Sequence, residues 1–222
     1  MIPERKLTVE LLSDTTFGRG DGVAGLVDDE IEHDTMTGLP IIRGRTLKGL
    51  LVEECANILF SLAPNDQTWH AVAQWLFGTP GSSAEVQGHL RVGQAELHEE
   101  LQAAVAAGRY TSAQILESLT TIRRQTAVDE ATGVPASGSL RSARVALRGL
   151  VFSAPLRFTR LPTNEHIALL CACAAAVRRG GSGRNRGRGR LKVAITASPP
   201  DAAVFNMDEW LEFFATKVEP IL

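Results

Sequence analysis

Aromatic residues make up only 5% of this 222-residue chain, with a single tyrosine. Recognition by rows of stacked rings, such as an RNP1-like run supplies, is therefore not expected. Cysteine is scarce too. Cys55, Cys171 and Cys173 make no disulfide framework and point to a reducing compartment, the cytoplasm. Cys171 and Cys173 stand two apart in the small apolar run ALLCACAAAV. On a helix they diverge by about 200°, so they read as buried thiols and not as a zinc pair. No run approaches roughly 18 apolar residues, so neither a membrane span nor a membrane partner is expected. The opening MIPERKLTVELL lacks the basic-then-apolar layout of a signal peptide. No Ser/His/Asp pattern and no zinc-ligand spacing stands out.

The chain does have enough apolar content, 44%, to bury a sizeable core. Its net charge is −2, so attraction for a polyanion must come from a local patch. One such patch is plain: residues 178–192 of RRGGSGRNRGRGRLKV carry seven Arg or Lys and no acid. Glycine lets a backbone approach a ligand closely, and the guanidiniums of Arg184, Arg186, Arg188 and Arg190 pair bidentately with phosphate.

Periodicity places this run within the fold. KLTVELL alternates Leu7, Val9 and Leu11 with polar residues and reads as a half-buried strand. A long Gly- and Asp-rich stretch follows, read as a loop and a short hairpin. TLKGLLVEECANILFSL has helical spacing with Thr46 offering a cap, and TWHAVAQWLFG is a second helix stopped by Gly78. GHLRVGQAEL resembles a strand, and 96–122 reads as amphipathic helix. Residues 125–141 form a hairpin-like excursion leading into a strand at about 150–158. PTNEHIALLCACAAAV opens a helix, and LKVAITA returns as a strand. The order is a split βαβ pattern with insertions, close to a ferredoxin-like or RRM-like α+β domain. The basic run, bracketed by helix and strand, is expected to be an ordered connection and not a free tail.

Two further stretches carry chemistry. In GLPIIRGRTLKG, residues 38–49, Arg43, Arg45, Thr46 and Lys48 fall at a strand-to-helix junction whose exposed amides attract anions. It is not a P-loop, since GxxxxGK[ST] does not match. In LVDDEIEHD, Asp28, Asp29, Glu30, Glu32, His33 and Asp34 bunch together. Acids beside a phosphate-binding surface would repel it unless they hold a divalent ion or act in catalysis. A surface hairpin decorated with acids is the other reading.

FGRGDGVAGLVDDEIEHDTMTGLPIIRGRTLKGLL resembles the N-terminal signature of the RAMP superfamily of CRISPR proteins, most of all the backbone subunit of type III effector complexes. The resemblance continues through WLFG and LRVGQAEL, through RRQTAVDEATGVPASGSL, and into GSGRNRGRGRLKV. It implies one domain over 1–222: a ferredoxin-like (RRM-like) palm with a glycine-rich loop at 180–190, helical insertions, and an inserted thumb hairpin at about 124–141. It implies that Arg43, Arg45, Thr46 and Lys48 grip a guide RNA, joined by Gly183, Arg184, Arg186 and Arg188 of the loop. Arg124, Gln125, Thr126 and Val128 would be the RNA contacts of the thumb, which displaces a target nucleotide.

Cleaving members carry an aspartate six residues ahead of the first acid of D-x-x-T-x-L-P. Here that acid is Asp34, and the count returns Asp28, with Asp29 one register away. Asp28 would be catalytic and would bind a divalent metal, with Mg2+ expected. The partners implied are a CRISPR guide RNA, a complementary target RNA, other effector subunits and further copies of the chain. Relatives that only scaffold RNA, including filament caps, are the alternative. A guide-processing endoribonuclease, the third reading, is disfavoured because His33 lies among acids.

Overall fold

The computed structural model describes residues 5–62, 67–79, 87–127, 129, 131–136, 138–198 and 205–218. Its central sheet begins with β1 (Arg5–Leu11), where alternation buries Leu7, Val9 and Leu11 on one face. Two strands flank it in antiparallel register, β6 (Val151–Phe158) and β7 (Leu191–Ala197). Val9 stands opposite both Phe152 and Val193, so the three buried rows coincide. β2 (Leu90–Val92) pairs with the far side of β6, and β3 (Glu96–Leu97) also pairs with β6.

The order β2-β6-β1-β7 interleaves two βαβ units. The first crosses over through α1 (Gly44–Ser61) and the second through α5 (Asn164–Ala176). This is the ferredoxin-like α+β arrangement that the split pattern predicts. In α5 the residues 167–174 are buried without a break, because it packs between α1, α2 (Gln67–Phe77), β7 and α6 (Met207–Val218). Its small residues allow that crowding. All three cysteines are free and buried. Burial pushes the Cys171 thiol up to about 12, out of reach of ionisation at neutral pH. Among the described residues no helix is long and apolar enough to cross a membrane.

Two local readings need correction, and one helix is added. Thr46 does not cap α1: the helix begins at Gly44 behind Arg43, which makes no side-chain cap bond. A Cβ at Gly44 would lie 2.1 Å from the Val92 carbonyl oxygen, so close packing on β2 fixes the start. Residues 96–122 are not one helix. They are β3, α3 (Glu99–Ala106), α4 (Ser112–Leu119) and the start of β4 (Thr120–Gln125). Gly108, at φ +74°, ends α3, and a Thr111–Gln114 capping box starts α4. Finally, α6 lies beyond the last strand read from periodicity.

β4 pairs with β5 (Arg141–Ala146) as a separate hairpin, from Thr120↔Ala146 to Gln125↔Arg141. Its base is tied to the palm by the buried pair Thr15 and Thr16. Thr15 bridges Ala146, and the Thr16 hydroxyl donates to the Arg144 carbonyl at 3.0 Å. The Thr16 carbonyl in turn accepts from the Ser182 amide at 2.8 Å. Segment 15–16 therefore sets the hairpin and the glycine-rich loop side by side.

Candidate nucleic-acid interface

Three stretches distant in sequence meet in a cleft of about 280 Å³: the acidic loop, the β4–β5 hairpin and the glycine-rich loop. Asp28 and Asp29 enter it alongside Gln125, Arg141, Gly183, Arg186 and Arg188. The acidic loop reaches the hairpin by adding a short parallel bridge to β5, Asp29 to Ala143. The Asp28 amide donates to the Ser142 carbonyl at 2.9 Å, and the Arg144 amide to the Asp29 carbonyl at 2.9 Å. Ser142 then turns its amide (2.6 Å) and hydroxyl (3.1 Å) onto Asp28 Oδ2. These two bonds, with Arg141 nearby, hold the exposed Asp28 carboxyl below the ordinary carboxylate range. Both fall on Oδ2, which leaves Oδ1 outside the contact with Ser142.

The acids of LVDDEIEHD do not act as a cluster. Glu30 is buried and pairs with buried Arg144 at 2.9 Å. Glu32 pairs with Arg43 at 2.6 Å. Asp34 caps its own turn, accepting from the Met36 and Thr37 amides, and those bonds, Thr37 first, lower its carboxyl pKa. His33 lies against the Ile31 carbonyl, 3.1 Å away, outside the cleft lining. Asp29 is half-buried against Gly18, where a Cβ would stand 2.6 Å from Asp29 Oδ1. Only Asp28 of this set is both exposed and turned to the basic loop.

The arginines divide as well. Arg184 is held by Glu53 of α1 through two bonds of 2.6 and 2.8 Å, which dock the loop on that helix. Arg186 is exposed in the cleft. Arg188 folds back under the loop. Gly183 sits at φ +72°, which favours glycine, and a Cβ there would lie 2.8 Å from Arg188 Nη2. Its Nε and Nη1 are buried with no hydrogen-bond partner among the described residues. Two unmet donors on a desolvated guanidinium are costly, and an oxygen acceptor such as a phosphate oxygen or water would satisfy them.

Of the thumb residues, Gln125 borders three neighbouring clefts, Arg124 one and Thr126 another, while Val128 lies outside the described residues. Arg45, Thr46 and Lys48 do not join the Asp28 cleft. They sit at the start of α1, with Arg45 and Thr46 exposed. Burial, then Arg91, lowers the half-buried Lys48 ammonium pKa. Glu53 follows Thr46 on the same helix by about 10 Å of rise, so the Glu53–Arg184 pair links that helix start to the loop. Three basic residues were missed, Arg123, Arg141 and Arg148. Arg141 and Arg148 are single charges in or beside short strands, and Arg123 adjoins Arg124 on β4, so none carries a signal beyond the solvated face of a hairpin.

A divalent cation in the cleft would meet the exposed Asp28 carboxyl, while Asp29 Oδ1 lies toward Gly18. No group of three His, Cys, Asp or Glu able to hold a metal occurs among the described residues. That donor set suits Mg2+, which commonly takes one or two carboxylates and completes its shell with water and substrate phosphate.

The family model of the RAMP superfamily matches residues 8–192. No curated protein matches. Among solved structures the chain is similar to one in the cryo-EM structure of the Type III-B Cmr-beta bound to cognate target RNA. That likeness has 11% identity and a TM-score of 0.64, and covers 86% of this chain and 96% of the other. It is also similar to a chain in the apo state of Type III-B Cmr-beta, with 12% identity, a TM-score of 0.62 and the same coverage of each chain. At such identities the likeness is one of fold.

Proposed function

This chain belongs to the RAMP superfamily, and from that premise we propose that it is an RNA-binding subunit of a type III CRISPR effector complex that cuts guide-complementary target RNA at Asp28. One observation carries the reading. The cleft sets an exposed, ionised carboxylate beside Arg186 and the unsatisfied Arg188, on three segments tied to one another by Thr16 and Ser142. The similar chain seen with cognate target RNA supports RNA and fellow effector subunits as partners.

Each residue has a task in this scheme. Arg186 and Arg188 take phosphate oxygens, which positions a strand without reading its sequence. The hairpin, with Arg124, Gln125 and Thr126, separates a nucleotide from its neighbours and turns its 2′-hydroxyl toward the adjacent phosphorus. In-line attack then forms a 2′,3′-cyclic phosphate as the P–O5′ bond breaks; the 2′-hydroxyl proton passes to water, and the 5′-oxygen takes one from water. Asp28 is a weak base, because its pKa is depressed. Its work is to orient the hydroxyl and hold positive charge, not to keep the proton. A divalent ion held by Asp28, with Asp29 beside it, would supply charge neutralisation at the phosphate.

A scaffolding role without cleavage is the second reading, favoured by the two Ser142 bonds that already occupy Asp28 Oδ2. The assembled complex separates the two. With guide, Mg2+ and labelled complementary RNA, the wild type is expected to give regularly spaced cuts that disappear in Asp28→Asn, while target binding stays. Cuts retained in Asp28→Asn would move the role to Asp29 or another subunit. Tight binding with no cuts in the wild type would leave the scaffold.

A further inference from the structure

The basic run at 178–192 places only part of its charge on the Asp28 cleft. Arg178, Arg179, Arg190 and Lys192 gather at the neck of the loop, and backbone pairing puts them there. Arg179 bridges Arg190, and the Leu191 amide donates to the Arg178 carbonyl at 2.9 Å. The Leu12 amide donates to the Arg190 carbonyl at 2.9 Å, stapling the neck to the end of β1. The four cations line a cleft of about 570 Å³ at the β7 edge of the sheet, with Leu12 and Val177 among its apolar walls. It shares no lining residue with the Asp28 cleft.

All four cations are exposed and none forms an ion pair among the described residues, although Lys192 stands opposite Glu10 across β1 and β7. Two ordinary uses account for some of this charge. A cation after α5 offsets the negative end of its dipole, and a charged edge strand resists unwanted pairing. Each use needs about one charge, which leaves the concentration of four unexplained.

The clefts also connect. A cleft of about 780 Å³ at the foot of β4, lined by Arg124 and Arg148, shares Arg123, Gln125 and Arg188 with the Asp28 cleft. It shares the partly exposed Leu12 with the β7-edge cleft. Basic surface, broken by Asp14 where it pairs with Arg123, therefore runs from the Asp28 cleft around the loop and past Leu12 to Arg178, Arg190 and Lys192.

We propose that the β7-edge cleft is a second seat for the phosphodiester backbone of the RNA strand that occupies the Asp28 cleft. This rests on the RNA-binding reading above and extends it by three to four phosphate contacts. Arg178, Arg190 and Lys192 neutralise phosphates, and Leu12 offers apolar contact to the strand as it passes.

The test compares full-length wild type with an Arg178→Ala, Arg190→Ala, Lys192→Ala triple variant. Binding of an unstructured labelled RNA of about 20 nucleotides is followed across a salt series. Three lost contacts on a single strand should reduce the slope of log K against log salt by about 2. Thermal unfolding of the variant should be unchanged, because all three side chains are exposed. An unchanged slope beside a wild type that binds RNA would overturn this proposal and leave the Asp28 cleft as the RNA site. An unchanged slope together with lost self-association in light scattering would overturn it in favour of a protein contact. A wild type whose RNA binding shows no salt dependence would sink the RNA-binding reading and this extension together.

Discussion

In the palm, Leu7, Val9, Ala154 and Leu156 are sealed from water beneath α1 and α5, and the strands alternate cleanly between buried and open positions. In the β4–β5 hairpin only four of twelve strand residues are buried: Thr120, Arg144, Val145 and Ala146. The palm is thus held by apolar area, and the hairpin by a short set of polar contacts. These are Arg144 to Glu30, Thr16 to Arg144, Asp28 to Ser142 and Arg123 to Asp14. The difference separates two kinds of failure. Damage to the palm removes the fold. Damage to the polar set shifts the hairpin against the acidic loop while the palm persists.

The largest expected effect tests that division at Glu30. Replacing it with leucine leaves Arg144 buried and unpaired, which should cost about 3–5 kcal/mol. Adding Arg144→Met should recover most of the loss, as measured by urea unfolding. A single variant within about 1 kcal/mol of wild type would show that the pair does not hold the hairpin.

Ser142→Ala should act more gently and chiefly on titration. It removes the hydroxyl bond to Asp28 but keeps the amide bond, so the carboxyl pKa should rise part of the way toward the ordinary 3.8. A depressed folded pKa contributes stability above the unfolded value and loses it as pH falls through the folded one. The variant should therefore lose that contribution at a higher pH than wild type, seen by carboxyl NMR. An unmoved titration would mean that the hydroxyl does not restrain Asp28.

The smallest effect is expected at Glu53→Gln. The pair with Arg184 is largely exposed, so stability should change by less than about 1 kcal/mol. RNA affinity should rise, because the guanidinium no longer has to leave a carboxylate. Weaker RNA binding would show that Glu53 is needed to pose Arg184.

Sequence pattern carried the palm well, because β1, β6 and β7 bury alternate residues and period two is visible in a single strand. It misjudged 96–122, where apolar spacing runs on across Gly108 although the chain turns there. Asp28 could be singled out by resemblance and offset alone; composition placed it in one acidic bunch with Glu30, Glu32 and Asp34. Their division into a buried ion pair, a surface pair and a turn cap depends on Arg144 and Arg43, of which Arg144 lies more than a hundred residues away. Arg188 was legible as a charge. Its burial beneath Gly183 was not, since it depends on how the loop folds over itself.

Three ion pairs of this chain also bear on the selectivity of the proposed role. Arg43, Arg123 and Arg184 are each covered by a carboxylate of the same chain at 2.6 Å: Glu32, Asp14 and Glu53. A free nucleotide or inorganic phosphate that reaches one of them competes with a tethered rival at high effective concentration, and wins a single contact. Under the proposed RNA-binding role, a long strand would meet such pairs together, so its gains would accumulate while each rival acts alone. In that role the chain's own acids would act as a filter that turns away small phosphates and yields to a polymer.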